Sequence, residues 1–460
     1  MDSEEKEPVT GVPGEAGGPD ESTAQSAPSG GLTRRQLILY GSAGLAGAGL
    51  LAWPIFKGVT WAFGQTRPDT APPAPPGPGS SAGVFKGGAP SDALWELWKK
   101  RGWVREACHY VRVGRNVVCN ICPNNCLLAP GDRSHCRNKI NRDGTLYTLA
   151  YANPCAIHVD PVEKKPLFHF LPGHQTFSLA TAGCVFRCLN CQNWDISQRT
   201  PEETKDPRGE EVRLTPQTLQ TAVRQMDRLT LLPQDVVAVA QALNCPSISY
   251  TYSEPIAFFE YMYDTCKLAR QAKLRNILVT CGSINEQALR DLAQFVDAAH
   301  VDLKGFDEKT YWKLNTGRLK PILDALRTLK AMGVWFEIIN LVVPTYTDDL
   351  EVIKRMCGWL VENLGADCPI HFSRFHPAHK LTQLAPTPTA VLLKARAIAQ
   401  AAGLHFVYVG NVPGLADVEN TVCPSCKRVV VRRDVFAVTA NEIRDGKCRF
   451  CQVKIAGVWA

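Results

Sequence analysis

Residues 177 to 191 read Phe-Ser-Leu-Ala-Thr-Ala-Gly-Cys-Val-Phe-Arg-Cys-Leu-Asn-Cys. Phe177 to Thr181 is a strand-like run, and it is followed at once by Cys184, Cys188 and Cys191, spaced C-x3-C-x2-C. A loop leaving a strand can turn three thiolates toward one centre. A [4Fe–4S] cube takes four ligands, so three protein sulfurs leave one iron open to a substrate or cofactor.

Downstream, short β-branched or aromatic runs alternate with stretches of helical periodicity. The strand-like runs are 177–181, 247–252, 276–281, 299–304, 334–343, 370–375 and 405–409. Helical periodicity marks the regions around 215–229, 255–272, 285–297, 319–332, 348–364 and 388–402. This alternation predicts an α/β chain with a parallel sheet and helices outside it, open or closed as a barrel.

In such sheets ligands sit at the C-terminal ends of the strands. Polar residues recur there, with Glu254 after the second strand, Asp302 and Lys304 at the fourth and Arg374 at the sixth, and the third ends at Gly282 between Thr280 and Ser283. Their recurrence predicts one shared site above the cysteine loop. Glu254 is expected to accept from an ammonium, Arg374 to pair with a carboxylate, and the backbone at Gly282 to approach a ligand without Cβ hindrance.

Two further cysteine groups flank this region. Cys119, Cys122, Cys126 and Cys136 combine knuckle spacings with a longer return, which suits either a structural zinc ion or an auxiliary iron–sulfur cluster. His135 is a further candidate ligand there. Cys423, Cys426, Cys448 and Cys451 form two C-x2-C knuckles with 21 residues between them, the pattern of a four-cysteine zinc ribbon. The chain has 18 cysteines, and grouping of this kind favours metal ligation over disulfides. Most of the seven others read as small buried hydrophobes. The stretch Asp160 to Gly173, with clustered charges, His169 and prolines, reads equally as a loop near the site and as a solvated turn.

Net charge is +7, but residues 1 to 30 carry −6, leaving about +13 elsewhere. That excess suits anionic ligands, and the absence of a dense Lys/Arg run argues against nucleic acid. Residues 1–32 are too polar to bury a core and are expected to be disordered. Arg34 and Arg35 precede an uncharged Gly/Ala/Leu run at 37–56, long enough at 1.5 Å per residue to cross a bilayer. Residues 33–64 therefore read as a twin-arginine export signal or an uncleaved membrane anchor. A Pro/Gly-rich linker follows at 65–92. The remaining expected units are a Cys-rich module at 93–172, a barrel at 173–415 and a ribbon at 416–460.

The motif Cys184-x3-Cys188-x2-Cys191 resembles that of radical SAM enzymes. The wider pattern is similar to the pyruvate formate-lyase activating enzyme-like branch and, within it, to the radical SAM proteins of the AmmeMemoRadiSam system. The resemblance runs from about Cys119 to Cys451 and includes residues 160–166, 191–197, 250–255, 301–306 and 371–377. It implies a partial (β/α)6 TIM-like radical SAM barrel with small Cys-rich flanking modules. It also implies a [4Fe–4S] cluster on Cys184, Cys188 and Cys191, S-adenosylmethionine as cofactor, and Glu254 in the place of the motif that meets the methionine ammonium. Asn190 departs from the family, which usually has an aromatic residue there beside the adenine. Cys281 stands where Asn is common.

The expected reaction is reductive cleavage of S-adenosylmethionine for hydrogen abstraction from a protein or peptide, with a low-potential flavodoxin- or ferredoxin-type donor. Alternatives are the same chemistry on a small molecule or lipid headgroup, and a membrane-tethered iron–sulfur electron carrier without enzymatic activity. The expected location is a membrane-anchored domain facing the cytoplasm, with twin-arginine export as the alternative.

Overall fold

The computed structural model describes residues 89 to 459 apart from Pro216. The acidic segment, the apolar run at 37–56 and most of the linker lie outside the described residues. Among those described, no helix is long and apolar enough to cross a membrane.

Eight strands build the central sheet: β1 (Ala156–Pro161), β2 (Gln175–Ala180), β3 (Ser247–Tyr250), β4 (Arg275–Thr280), β5 (Ala298–Asp302), β6 (Trp335–Val342), β7 (Ile370–Arg374) and β8 (Val407–Gly410). Their spatial order is their chain order. Strands β2 to β8 are parallel, while β1 pairs antiparallel with β2. Seven parallel strands have six crossovers, which agrees with the partial (β/α)6 expectation. Each predicted strand lies within two residues of the observed one; β1, at the edge, has no counterpart in the sequence reading.

One face of each of the strands β2 to β8 is apolar and packs on the helices, through Leu179, Ile248, Leu278, Val301, Ile338, Phe372 and Val409. Strand alternation turns Ser178, Ser249, His300, Glu337, His371 and Tyr408 to the opposite, inner face. Five of the predicted helices are present, including α3 (Phe259–Gln271), α4 (Glu286–Ala293) and α6 (Leu319–Ala331). The expected helix at 215–229 is a short Leu219–Arg224 segment, because the Lys205 ammonium donates to the carbonyls of Met226 and Leu229 and closes the chain into a turn. The crossover there is instead α2 (Pro233–Ala242), which buries Val236, Val237, Val239 and Ala240 and so shows little amphipathic contrast in sequence. Pro233 begins it, and Asp235 accepts from the Leu232 N–H.

The stretch Asp160 to Gly173 is not a solvated turn: Asp160, Glu163, Lys165 and His169 are all buried. It plugs the inner face near the start of the strands, where Leu167 and Phe170 meet Ile277 and Ala298. Phe168 packs with Phe406, Tyr408 and the C-terminal ribbon. His169 is fully buried and burial pushes its pKa down to about 4. Its Nδ1 lies 2.7 Å from the Ala456 carbonyl, so that nitrogen carries the proton and Nε2 accepts from the Tyr408 hydroxyl at 2.5 Å.

The N-terminal module has helix α1 (Asp92–Lys100) and two small three-stranded sheets. It is fastened to α3 by the Lys139–Glu260 ion pair, whose side chains are 1% and 4% exposed. Glu260→Ala would leave the Lys139 ammonium buried without its counter-charge. The expected loss of stability is about 3–5 kcal/mol, read by denaturant unfolding; a change below about 1 kcal/mol would mean that the pair is solvated.

Candidate functional site

The three cysteines of the central motif lie in the loop that leaves the C-terminal end of β2, with both flanks fixed. On one side the Leu189 N–H donates to the Leu314 carbonyl at 2.9 Å, and the Arg187 N–H to the Asn315 carbonyl at 3.0 Å, both at the end of α5 (Glu308–Asn315). Asn315 Nδ2 also reaches Cys188 Sγ at 3.2 Å, and the Phe186 N–H reaches Cys184 Sγ at 3.3 Å. On the other side Asn138 donates to the Ala182 carbonyl at 2.6 Å and Asn124 to the Val185 carbonyl at 3.0 Å. Gly183 allows this fit: its φ is +94°, and a Cβ would lie 2.5 Å from the Cys136 carbonyl oxygen.

Burial pushes the Cys191 thiol up to about 11, and those of Cys184 and Cys188 also upward. Three buried thiols ionise together only when a bound metal centre supplies compensating positive charge. No three of the sulfurs in this loop lie within 4.8 Å of one another among the described residues, a spread wider than one tetrahedral ion requires. Separate irons of a cube fit it.

Polar groups reach this loop along the inner face. Lys304 Nζ lies 2.7 Å from Asp302 Oδ2, and its charge opposes the burial that raises the Cys188 thiol. His300 joins Asp302 at 3.0 Å and the Lys165 carbonyl at 2.6 Å. The Lys165 ammonium is bound to Asp160 at 2.7 Å and lies over the Tyr252 ring. Burial lowers Lys165 to about 8. Burial raises the Asp302 carboxyl, but Lys304 and His300 override it and hold it well below the usual carboxylate range.

A profile of the radical SAM superfamily matches residues 178–357, which contain all three cysteines. The chain is also 40% identical over 355 residues to the uncharacterized protein MJ0808 of Methanocaldococcus jannaschii, covering 76% of this chain and 99% of that one. The chain belongs to the radical SAM superfamily. Similar solved structures include a domain of a pyruvate-formate lyase-activating enzyme from Bacteroides vulgatus, with 16% identity, 36% of this chain and 99% of that chain covered, and a TM-score of 0.32. Streptococcus suis SuiB bound to S-adenosylmethionine has 15% identity, coverages of 54% and 53%, and a TM-score of 0.35. A radical SAM methyltransferase from Sphaerobacter thermophilus has 12% identity, coverages of 70% and 81%, and a TM-score of 0.38.

As a radical SAM enzyme, the chain cleaves S-adenosylmethionine at an iron–sulfur cluster. Its Glu254 is buried at the end of β3, where its carboxylate accepts from Thr280 Oγ1 at 2.6 Å, the Cys281 N–H at 2.8 Å and the Ile256 N–H at 3.2 Å. Burial is the main cause that raises its pKa. A carboxylate offers about four acceptor positions, and the Cys281 thiol also stands beside this one. Two other expected ligand contacts are placed differently. Arg374 alternates with inward-facing Ser373, shares the helix side with Phe372, and donates through Nε to the Thr387 carbonyl at 2.9 Å. Gly282 has φ +71°, and its missing Cβ would meet Val301 and Ile322 at 3.1 and 3.3 Å, so the glycine serves packing of β4 against β5 and α6.

The four cysteines of the C-terminal group converge, with all sulfurs within 4.8 Å of one another. Cys423 and Cys451 are 3.6 Å apart, Cys426 and Cys448 3.7 Å. One metal ion fits such a set. Sequence reasoning missed Asn138, Arg187 and Asn315, which shape the cysteine loop. None lies in a pattern that betrays a contact between distant segments; only Gly183, inside the motif, hinted that another backbone comes close.

Proposed function

We propose that this radical SAM enzyme abstracts hydrogen from a protein or peptide, in the manner of an activase or maturase. The observation that carries this reading is an open sheet with an exposed tryptophan beside the cysteine loop. Strands β1 and β8 are not paired with each other, and Trp194, 41% exposed, stacks on His379 at 5.5 Å just beyond Cys191. Exposed aromatic surface of this kind suits a peptide segment.

Cys184, Cys188 and Cys191 hold the cluster, with Asn315 and the Phe186 N–H donating to their sulfurs and tuning them. A [4Fe–4S] cluster with one open iron supplies reduction of the S-adenosylmethionine sulfonium to methionine and a 5′-deoxyadenosyl radical. Glu254 accepts from the methionine ammonium while tying β3 to β4. Asp302 and Lys304 present a charge pair toward the same space. The four C-terminal cysteines bind zinc, since metal–sulfur bonds of about 2.3 Å leave sulfurs close to the observed spacing. A low-potential flavodoxin- or ferredoxin-type protein supplies electrons. Residues 37–56 anchor the enzyme with the described domain on the cytoplasmic side; protease digestion from outside intact spheroplasts would refute that side.

Asn190 has a specific part in this reading. It is 7% exposed, and its Oδ1 is buried with no hydrogen-bond partner. A lone buried acceptor costs about 1–3 kcal/mol, which a ligand N–H such as the adenine amino group recovers. Asn190→Leu is expected to weaken S-adenosylmethionine binding about tenfold by calorimetry without lowering thermal stability. An unchanged Kd would remove Asn190 from the site.

The substrate class is tested with deuterated cell extract. Deuterium should enter 5′-deoxyadenosine from the macromolecular fraction and vanish after protease treatment of that fraction. Transfer from the small-molecule fraction alone would contradict a protein substrate.

A further inference from the structure

We propose that Cys119, Cys122, Cys126 and Cys136 hold a second [4Fe–4S] cluster, ligated at all four corners and seated against the S-adenosylmethionine loop. This goes beyond the reading of that loop and uses it as an internal standard. The four cysteines are buried together at 6%, 8%, 4% and 7% exposure. The segments that carry them are held together: the Cys119 N–H donates to the Cys126 carbonyl at 3.0 Å, and the N–H of His135, next to Cys136, reaches Cys126 Sγ at 3.3 Å.

Spacing separates the two metal chemistries. A single zinc ion, with bonds of about 2.3 Å in tetrahedral array, brings its sulfurs to about 3.8 Å from one another. The C-terminal group has that spacing, with all four sulfurs inside 4.8 Å. Neither the Cys119 group nor the Cys184 group contains three sulfurs so close, among the described residues. A cube seats each sulfur on a different iron and so needs the wider spread. By this measure the first cysteine group sorts with the radical SAM triad and away from the ribbon.

The surroundings suit a buried anionic cluster. The His135 N–H donates to Cys126 Sγ at 3.3 Å, and the Ser134 hydroxyl lies 3.0 Å from Cys136 Sγ. The backbone N–H groups of Ile121 and Asn124 serve Cys119 and Cys122. The Arg187 guanidinium donates to the Cys184 carbonyl at 2.9 Å and to the His135 carbonyl, and so stands between the two groups. Hydrogen bonds and charge of this kind set the stability and potential of iron–sulfur centres.

The group is also fixed in place against the barrel. Asn285, at the start of α4, donates to the carbonyls of Asn120 and Cys122 at 2.8 and 3.2 Å and to Asn125 Oδ1 at 2.9 Å, while its own N–H meets the Ile121 carbonyl at 3.0 Å. With four protein ligands the cluster has no iron open to a substrate, which confines it to holding and passing single electrons.

The test uses the full chain, reconstituted anaerobically, as wild type and as the triple variant Cys184→Ala, Cys188→Ala, Cys191→Ala. The triple variant should retain about four irons and four sulfides, against about eight of each in the wild type. After dithionite reduction it should give an iron–sulfur EPR signal that S-adenosylmethionine leaves unchanged, because no iron is open. Iron below about one per chain in the triple variant, with or without added zinc, would overturn the proposal. Should that variant aggregate, the Mössbauer spectrum of the wild type decides: two clusters, one insensitive to S-adenosylmethionine, support the site, and a single sensitive cluster overturns it. Wild type that cleaves S-adenosylmethionine with only about four irons refutes the second cluster alone. A triple variant with four irons beside an inactive wild type refutes the radical reaction alone.

Discussion

Cys188→Ala should reduce 5′-deoxyadenosine formation by at least about a thousandfold, to the level of reductant alone. Cys188 is the middle sulfur of the triad and the acceptor for Asn315 Nδ2 at 3.2 Å, so its loss removes a cluster ligand and leaves a buried donor without its partner. Bound iron should fall, while zinc in the C-terminal ribbon should remain. Cys357→Ala provides the comparison, since Cys357 is fully buried on α7 (Leu350–Leu364) among aliphatic neighbours and belongs to no group of sulfurs. It should cost stability and keep the reaction. Undiminished 5′-deoxyadenosine from Cys188→Ala would remove the triad from the chemistry.

The second large effect is expected at Gly183, a residue with no side chain to contribute. In Gly183→Ala the new methyl would lie 2.5 Å from the Cys136 carbonyl and 2.6 Å from Asn138 Oδ1, on a backbone with φ +94°. Left-handed strain costs about 1–3 kcal/mol and forced overlap another 1–3. The variant should therefore lose about 3 kcal/mol or more and fail to hold the iron of the triad, because Cys184 follows directly. Gly333→Ala separates the two causes: Gly333 has φ +71° but nothing within 4 Å of a Cβ. Equal losses in unfolding midpoint and iron content for both variants would show that the contact between module and cysteine loop is unimportant.

The seven parallel strands were legible because each is a short apolar run bounded by turns, a signal that depends on local composition alone. The cysteine groups were legible for the same reason, since ligand spacing within a knuckle is a property of one segment. What escaped was tertiary. Arg374 and Ser373 sit side by side at one strand end, and only the strand's register decides that Ser373 faces inward and Arg374 the helices. His169 and its neighbours look like a charged turn in sequence, yet the β8 tyrosine and the ribbon carbonyl of Ala456 bury them. Gly282 read as a clearance for ligand because it ends a strand; Val301 and Ile322 occupy that clearance instead. Helix α2 escaped because it is apolar on nearly every side, which erases the period that marks surface helices.

These same tertiary contacts connect the modules to the chemistry. The ribbon and the loop at 160–173 close the inner face at one end of the strands, and the N-terminal module shapes the cysteine loop at the other through Asn124 and Asn138, with Arg187 of the loop donating back to the His135 carbonyl. Between them the inner face carries charged and hydroxyl groups from Asp160 to Lys304.

The most direct measurement is the product stoichiometry of the anaerobically loaded wild-type chain with S-adenosylmethionine and a low-potential reductant. Methionine and 5′-deoxyadenosine should appear in equal amounts, only when reductant is present. A fully loaded, reduced enzyme that binds S-adenosylmethionine and yields neither product would contradict the account.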